Sequence, residues 1–289
     1  MLRLAVTVAS LLLGAVAAQP VAAEKRYGPG VSDSEIKIGQ TMPYSGAASA
    51  YGTIGKAEAA YFAMINDAGG INGRKIRFLT VDDGYSPPKT VEQVRKLVEQ
   101  DQVLLLFQTM GTATNNAIRK YVNEKKVPHL FLASGASLWA DPEHFPWTIG
   151  WQPDLQTEGA IVARDILDHK ADGEIAVLYQ NDDYGKDYMK GFRAALGARA
   201  PKMIVAAASY ESTDPTVDSQ IVILQASGAD TFFNVSSPKF AAQAIRRAYD
   251  IGWKPTHFLT SGSSSVAAVL QPAGLEKSNG IVSAAYIKD

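Results

Sequence analysis

The stretch Val103-Leu104-Leu105-Leu106-Phe107 is followed by Gln108-Thr109-Met110-Gly111-Thr112-Ala113-Thr114-Asn115. The first five residues are an unbroken apolar run, the pattern of a strand covered on both faces. The loop after it is built of small, hydroxylated and amide residues. A helical stretch over Thr114 to Glu124 comes next, then a second apolar run, Leu130-Phe131-Leu132. Strand, loop, helix and strand in that order make a βαβ unit, which requires a parallel sheet. The alternation continues in both directions. Upstream, Ile36 and Ile38 and then Ile76, Phe78 and Thr80 alternate as strands do. Downstream come Trp147-Thr148-Ile149, Ile175 to Tyr179, Met203 to Ala207, Thr231 to Val235, Phe258 to Thr260 and Ile281 to Ala285. Between them lie helical stretches: 55–68, stopped by Gly69-Gly70; a face of Val91, Val94, Leu97 and Val98; 155–169; Val217, Ile221 and Leu224; and Phe240, Ala244 and Ala248. So many strands point to two doubly wound α/β lobes, 35–150 and 154–282, hinged near Gly150-Trp151-Gln152-Pro153.

A length of 289 residues exceeds what one core usually serves, which agrees with two lobes. Lys plus Arg number 28 and Asp plus Glu 29, so the net charge of -1 gives no footprint for nucleic acid. Cysteine is absent, which excludes disulfides, thiolate metal sites, a Cys nucleophile and a bacterial lipoprotein anchor. The first residues read as an export signal over 1–23. Arg3 gives the positive start, Leu4 to Ala18 an apolar run too short to span a membrane, and Val21-Ala22-Ala23 the small residues before Glu24-Lys25-Arg26. An exported chain without a lipid site suits the periplasm.

In open α/β sheets ligands bind beyond the carboxyl ends of the strands. Six such loops are rich in hydroxyls and glycine and poor in charge: Met42 to Gly52, Gln108 to Asn115, Ala133 to Ser137, Gln180 to Lys186, Ser236 to Lys239 and Ser261 to Ser265. Free N–H groups at the following helix starts, with Ser and Thr hydroxyls, suit a carboxylate without needing an Arg. Tyr44, Tyr51 and Tyr184 offer flat apolar walls. Helix capping and turn formation explain the same residues without a ligand. Enzymatic patterns fail. Gly55-Lys56-Ala57 lacks the rest of a phosphate loop, and Ser236-Ser237-Pro238-Lys239 lacks its companion elements. The pairs Asp82-Asp83 and Asp182-Asp183 read as turns and caps rather than a metal site, and His129 and His257 as structural.

Ile36-Lys37-Ile38-Gly39 leading to Pro43-Tyr44-Ser45-Gly46 and Tyr51-Gly52 is the first part of a wider pattern. It continues with Asn66-Asp67-Ala68-Gly69-Gly70-Ile71-Asn72-Gly73-Arg74, Asp82-Asp83 and Asp183-Tyr184-Gly185-Lys186. On these segments the chain resembles the type I periplasmic binding proteins of the leucine/isoleucine/valine-binding class, which feed ABC importers. The resemblance implies two lobes closing on a small carboxylate ligand, without catalysis, cofactor or metal, in a monomer that docks on an ABC permease and, through it, an ATPase. It implies that Tyr51 faces the ligand side chain and that Thr112 with Ser134, Gly135 and Ala136 holds the carboxylate. Tyr184 closes from the second lobe, Asn234 and Ser236 fall near another contact, and Ser261 lies in the loop after the Phe258–Thr260 strand. Amino-acid binders of this class carry an acid in that loop to pair with the ligand ammonium. Ser261-Gly262-Ser263-Ser264-Ser265 has none, and an unpaired buried ammonium costs about 3–5 kcal/mol. The ligand is then an aromatic or aliphatic acid, unless another acid such as Glu211 or Asp214 pairs with an amine. Residues 283–289 stand where the family starts its return to the first lobe, so the resemblance also implies a return segment and exposed apolar surface without it. Two other readings stay open: a ligand-sensing domain of the same fold, and an exported α/β hydrolase.

Overall fold

The computed structural model describes residues 26–287. The export-signal reading over 1–23 lies outside the described residues. The first half runs β1 (Glu35–Met42), α1 (Gly52–Asp67), β2 (Lys75–Asp82), α2 (Pro87–Arg95), β3 (Leu105–Phe107), α3 (Thr112–Glu124), β4 (His129–Leu132) and β5 (Thr148–Gly150). The second runs α4 (Leu155–His169), β6 (Ile175–Gln180), α5 (Asp183–Leu196), the short α6 (Ala200–Met203), β7 (Ile204–Tyr210), α7 (Asp218–Ala226), β8 (Thr231–Val235), α8 (Pro238–Asp250), β9 (Thr256–Leu259) and β10 (Val282–Ser283).

Each half forms one five-stranded, wholly parallel sheet. The orders are β2-β1-β3-β4-β5 and β10-β9-β8-β6-β7. Numbered within its own half, each sheet has the order 2-1-3-4-5, so the two halves share one wiring. In that wiring the strand order reverses at β1/β3 and at β6/β8, and the loops there open a crevice at the carboxyl edge.

The second sheet is covered on both faces. Val177, Phe233 and Val235 pack on Val162, Ile166 and Phe192 of α4 and α5. Their strand neighbours Ala176, Leu178 and Phe232 pack on Ile221 and Leu224 of α7 and on Phe240 and Ala244 of α8. Alternate residues therefore serve opposite cores, and the central strands read as continuous apolar runs. In the first sheet, Leu106 turns to Val94, Leu97, Ile118 and Val122 under α2 and α3. The opposite face carries an aromatic file. Phe62 of α1 packs on Phe78 and Phe107, and the file continues through Phe131 to Trp151 with ring centroids 6.1 and 5.8 Å apart. Only its β1/β2 end lies beneath α1: Phe131 is 38% exposed, Ile149 50% and Trp151 63%.

Strand limits differ from the sequence reading at a few ends. Met203 closes α6 instead of opening a strand, and the run 281–285 contributes only Val282–Ser283, on the outer edge of the second sheet. The acidic pairs are turns and caps. Asp82 accepts N–H bonds from Tyr44, Ser45 and Gly84, and Asp182 caps α5 by accepting from Tyr184 and Gly185. His129 and His257 are buried, and burial pushes both down to a pKa of about 3. His129 Nε2 meets Thr109 Oγ1 at 2.5 Å, while His257 lies against the Phe232 ring.

Candidate functional site

The strand-end loops of the two halves face each other across one cavity of about 720 Å³. The first half supplies Tyr51, Tyr85, Gly111, Thr112, Ser134 and Gly135. The second supplies Leu155, Glu158, Tyr184, Tyr188, Ser261 and Gly262, and the segment after β10 adds Tyr286.

Local chemistry sets each position. The backbone turns into α3 at Gly111, with φ 101° and ψ 156°, so that the amino end of a thirteen-residue helix opens on the cavity. First-turn N–H groups lack helical partners and carry the positive end of the helix dipole, which suits an anion. Beside them the Thr112 and Ser134 hydroxyls lie 2.7 Å apart, and Trp139 Nε1 donates to Ser134 Oγ at 3.0 Å. Gly135 is held where the chain crosses between halves. Leu155 N–H donates to its carbonyl at 2.8 Å, and a side chain there would run into the Pro153 carbonyl.

The opposite wall is aromatic. The Tyr184 ring meets Tyr188 edge to face at 5.2 Å, and its hydroxyl lies 3.2 Å from Thr260 Oγ1. Burial raises the hydroxyl pKa of Tyr51, Tyr85, Tyr184 and Tyr188 above the ordinary tyrosine range, so these groups stay protonated. The two halves touch directly. Asn116 Nδ2 donates to Asp183 Oδ2 at 3.1 Å, and Asp187 accepts from the N–H of Ser137 at 2.6 Å and from its hydroxyl at 2.9 Å.

Of the residues singled out in the sequence, Tyr51, Thr112, Ser134, Gly135, Tyr184 and Ser261 line the cavity. Ala136 sits behind the wall, packed in the core with Trp139. Asn234 and Ser236 are fully buried, for a reason of parity. Phe233 and Val235 face α4 and α5, so Asn234, with Phe232, belongs to the other face, where its Nδ2 lies 3.3 Å from His257 Nε2. Tyr44 is turned onto Thr80, 2.6 Å away, and does not reach the cavity. Glu211 and Asp214 also lie away from it: Glu211 Oε1 accepts from Asn181 Nδ2 at 2.6 Å, and Asp214 Oδ2 accepts the N–H of Glu211 at 2.9 Å.

Sequence reading missed Tyr85, Tyr188, Tyr286 and Glu158. Glu158 had a detectable signal. It shares a helix face with Leu155 and Val162, three residues before it and four after, and an acid on a core face needs a purpose.

A model of the periplasmic binding protein family matches residues 35–289. The chain belongs to the periplasmic binding protein family. Among curated relatives, Leu/Ile/Val-binding protein homolog 7 of Brucella suis is 24% identical over 295 residues, covering 99% of this chain and 69% of the relative. Among solved structures, a substrate-binding periplasmic protein from Ralstonia solanacearum superposes with a TM-score of 0.78 at 27% identity, over 85% of this chain and 69% of that one. A branched-chain amino acid ABC transporter protein from Thermus thermophilus with bound valine superposes with a TM-score of 0.76 at 15% identity, over 88% of this chain and 65% of that one. This periplasmic binding protein thus spans about two thirds of the length of the proteins it matches. The fold expected from the sequence, two doubly wound lobes of the type I class, is the fold observed. Among the described residues no helix is long and apolar enough to cross a membrane.

Proposed function

We propose that this chain is the periplasmic substrate-binding component of an ABC importer, and that it captures a small carboxylate ligand between its halves. The observation that carries this reading is the cavity walled by the strand-end loops of both sheets. The ligand carboxylate accepts from the amino end of α3, from Thr112 and Ser134, and from the backbone at Gly135. Tyr51 and Tyr184 enclose its apolar part, and Ser261 bounds it from the second half. Contacts from both halves favour the closed arrangement, so closure is driven by differential affinity and needs no bond chemistry. The closed form is what a permease, with its ATPase behind it, recognises.

Thermal-shift and calorimetric titration of the chain with L-leucine, L-valine, L-phenylalanine, isocaproate, hydrocinnamate and benzoate tests the reading. At least one of these acids is expected to raise the melting temperature and bind with one-to-one stoichiometry, with contraction of the radius of gyration in X-ray scattering. Absence of binding across the whole panel, or binding without contraction, refutes it.

A further inference from the structure

The Thr112 and Ser134 hydroxyls lie 2.7 Å apart, and either oxygen could donate to the other. The groups behind them decide which does. Ser134 Oγ accepts the indole Nε1–H of Trp139 at 3.0 Å, and the N–H of Ala136 approaches the same oxygen at 3.4 Å. A serine hydroxyl has one hydrogen and two lone pairs, and an indole N–H can only donate. With both lone pairs turned to N–H groups, Ser134 has no place to accept from Thr112. Its own hydrogen donates instead, to Thr112 Oγ1 or into the cavity. The Thr112 hydrogen is left to point into the cavity that both residues line.

Trp139 itself is buried behind the wall, and its ring is held on several sides. It closes the short turn Ser137–Trp139, whose start is fixed from the second half by the two bonds from Ser137 to Asp187. Arg119 of α3, also buried, puts its guanidinium 5.6 Å from the centre of the Trp139 ring and 3.6 Å from that of Phe145. Gly150 of β5 leaves room for the indole, since a Cβ there would lie 3.2 Å from Trp139 Cβ. These contacts fix the direction of the indole N–H, and the N–H fixes the hydroxyl pair.

We infer that Trp139 is a positioning residue for ligand capture. Acting through Ser134, it turns the Thr112 hydrogen into the cavity and sets the site to favour a group that only accepts over one that must also donate. The inference rests on the capture reading above and goes one layer behind it, to a side chain that does not line the cavity. A primary amide is the discriminating probe, because its NH2 needs an acceptor where a carboxylate has an oxygen. Without the indole N–H, Ser134 regains a lone pair, Thr112 can donate to it, and the pair can present an acceptor to that NH2.

The test titrates each acid of the panel above beside its own primary amide, by calorimetry, on the parent and on Trp139→Phe. Phenylalanine keeps a ring in the turn and removes the N–H. The parent should prefer the acid. In Trp139→Phe that preference should shrink about tenfold, chiefly through weaker acid binding, the scale of one hydrogen bond to a charged group. Loosened packing would weaken acid and amide together, so a preference within about twofold of the parent's overturns the inference and leaves capture intact. A parent without preference for the acid overturns it as well. Failure of every acid to bind the parent overturns both readings. Should Trp139→Phe fold poorly, 3-benzothienylalanine at position 139 makes the same comparison, with sulfur in place of the N–H and the two-ring outline kept.

Discussion

Gly111→Ala tests whether the amino end of α3 is built to a tolerance that only glycine meets. At φ 101° and ψ 156° the backbone lies in a region that L side chains avoid, which costs about 1–3 kcal/mol for alanine. The new Cβ would also sit 2.4 Å from Tyr85 Cε2 and 2.6 Å from Thr114 Oγ1. Thr114 is buried and its Oγ1 donates to the Met110 carbonyl at 2.5 Å, and the Tyr85 ring can give way only into the cavity it lines. Overpacking of this kind adds about 1–3 kcal/mol. The expected total is about 4 kcal/mol, read by calorimetry as a fall of roughly 8–16 °C in melting temperature. Ligand affinity should fall as well, because Tyr85 and Thr112 both line the cavity. A cycle with Tyr85→Ala separates the two causes. In that background the ring clash is gone and Gly111→Ala should cost about 1–2 kcal/mol less, with the backbone term remaining. A melting temperature within about 2 °C of the parent would refute the reasoning, as would strict additivity of the two substitutions.

Tyr184→Ala removes a half-buried ring that lines the cavity and makes one edge-to-face pair, worth about 0.5–1.5 kcal/mol to folding; affinity by titration should fall more than stability, and equal affinity would reject its place in the site. Burial holds His129 and His257 down to a pKa of about 3 in the folded chain, against an ordinary value of 6.5, so the unfolded chain takes up protons first as pH falls. Stability should therefore drop below pH 6.5, by about 2 kcal/mol for each histidine at pH 5, and identical urea midpoints at pH 7 and pH 5 would contradict this. Phe131→Asn combined with Trp151→Gln should lower the fluorescence of a bound hydrophobic dye with little loss of melting temperature, since both rings are exposed and asparagine tolerates the left-handed backbone of residue 131 (φ 58°); an unchanged dye signal means that face is not what the dye reads.

The fold was legible because parallel strands buried on both faces leave unbroken apolar runs. Ile175 to Tyr179 and Thr231 to Val235 are central strands, and both were visible as such. Short edge elements were less so. Val282–Ser283 pairs over two residues only, too few for a period to register. At the cavity, loops following strands were found by rule, which is why Thr112, Ser134 and Tyr184 lie in its wall. Parity was the weak link. Asn234 lies at the right strand end but on the face covered by helices, and a single residue of register decides that. Glu158 was passed over because its partners are far away in the chain. The sequence separation of 103 from it to Ser261 is closed only by the fold. Tyr85 follows the Asp82-Asp83 turn, and nothing in its neighbours announces that it lines the cavity.

Contacts such as Asn116 to Asp183 and Ser137 to Asp187 tie the halves together beside a crevice whose two walls come from different sheets. Neither wall alone makes a complete berth. Whatever pulls one half back therefore dissolves the grip without competing for it, and unloading becomes a matter of leverage applied at the outer surfaces rather than of any rival guest.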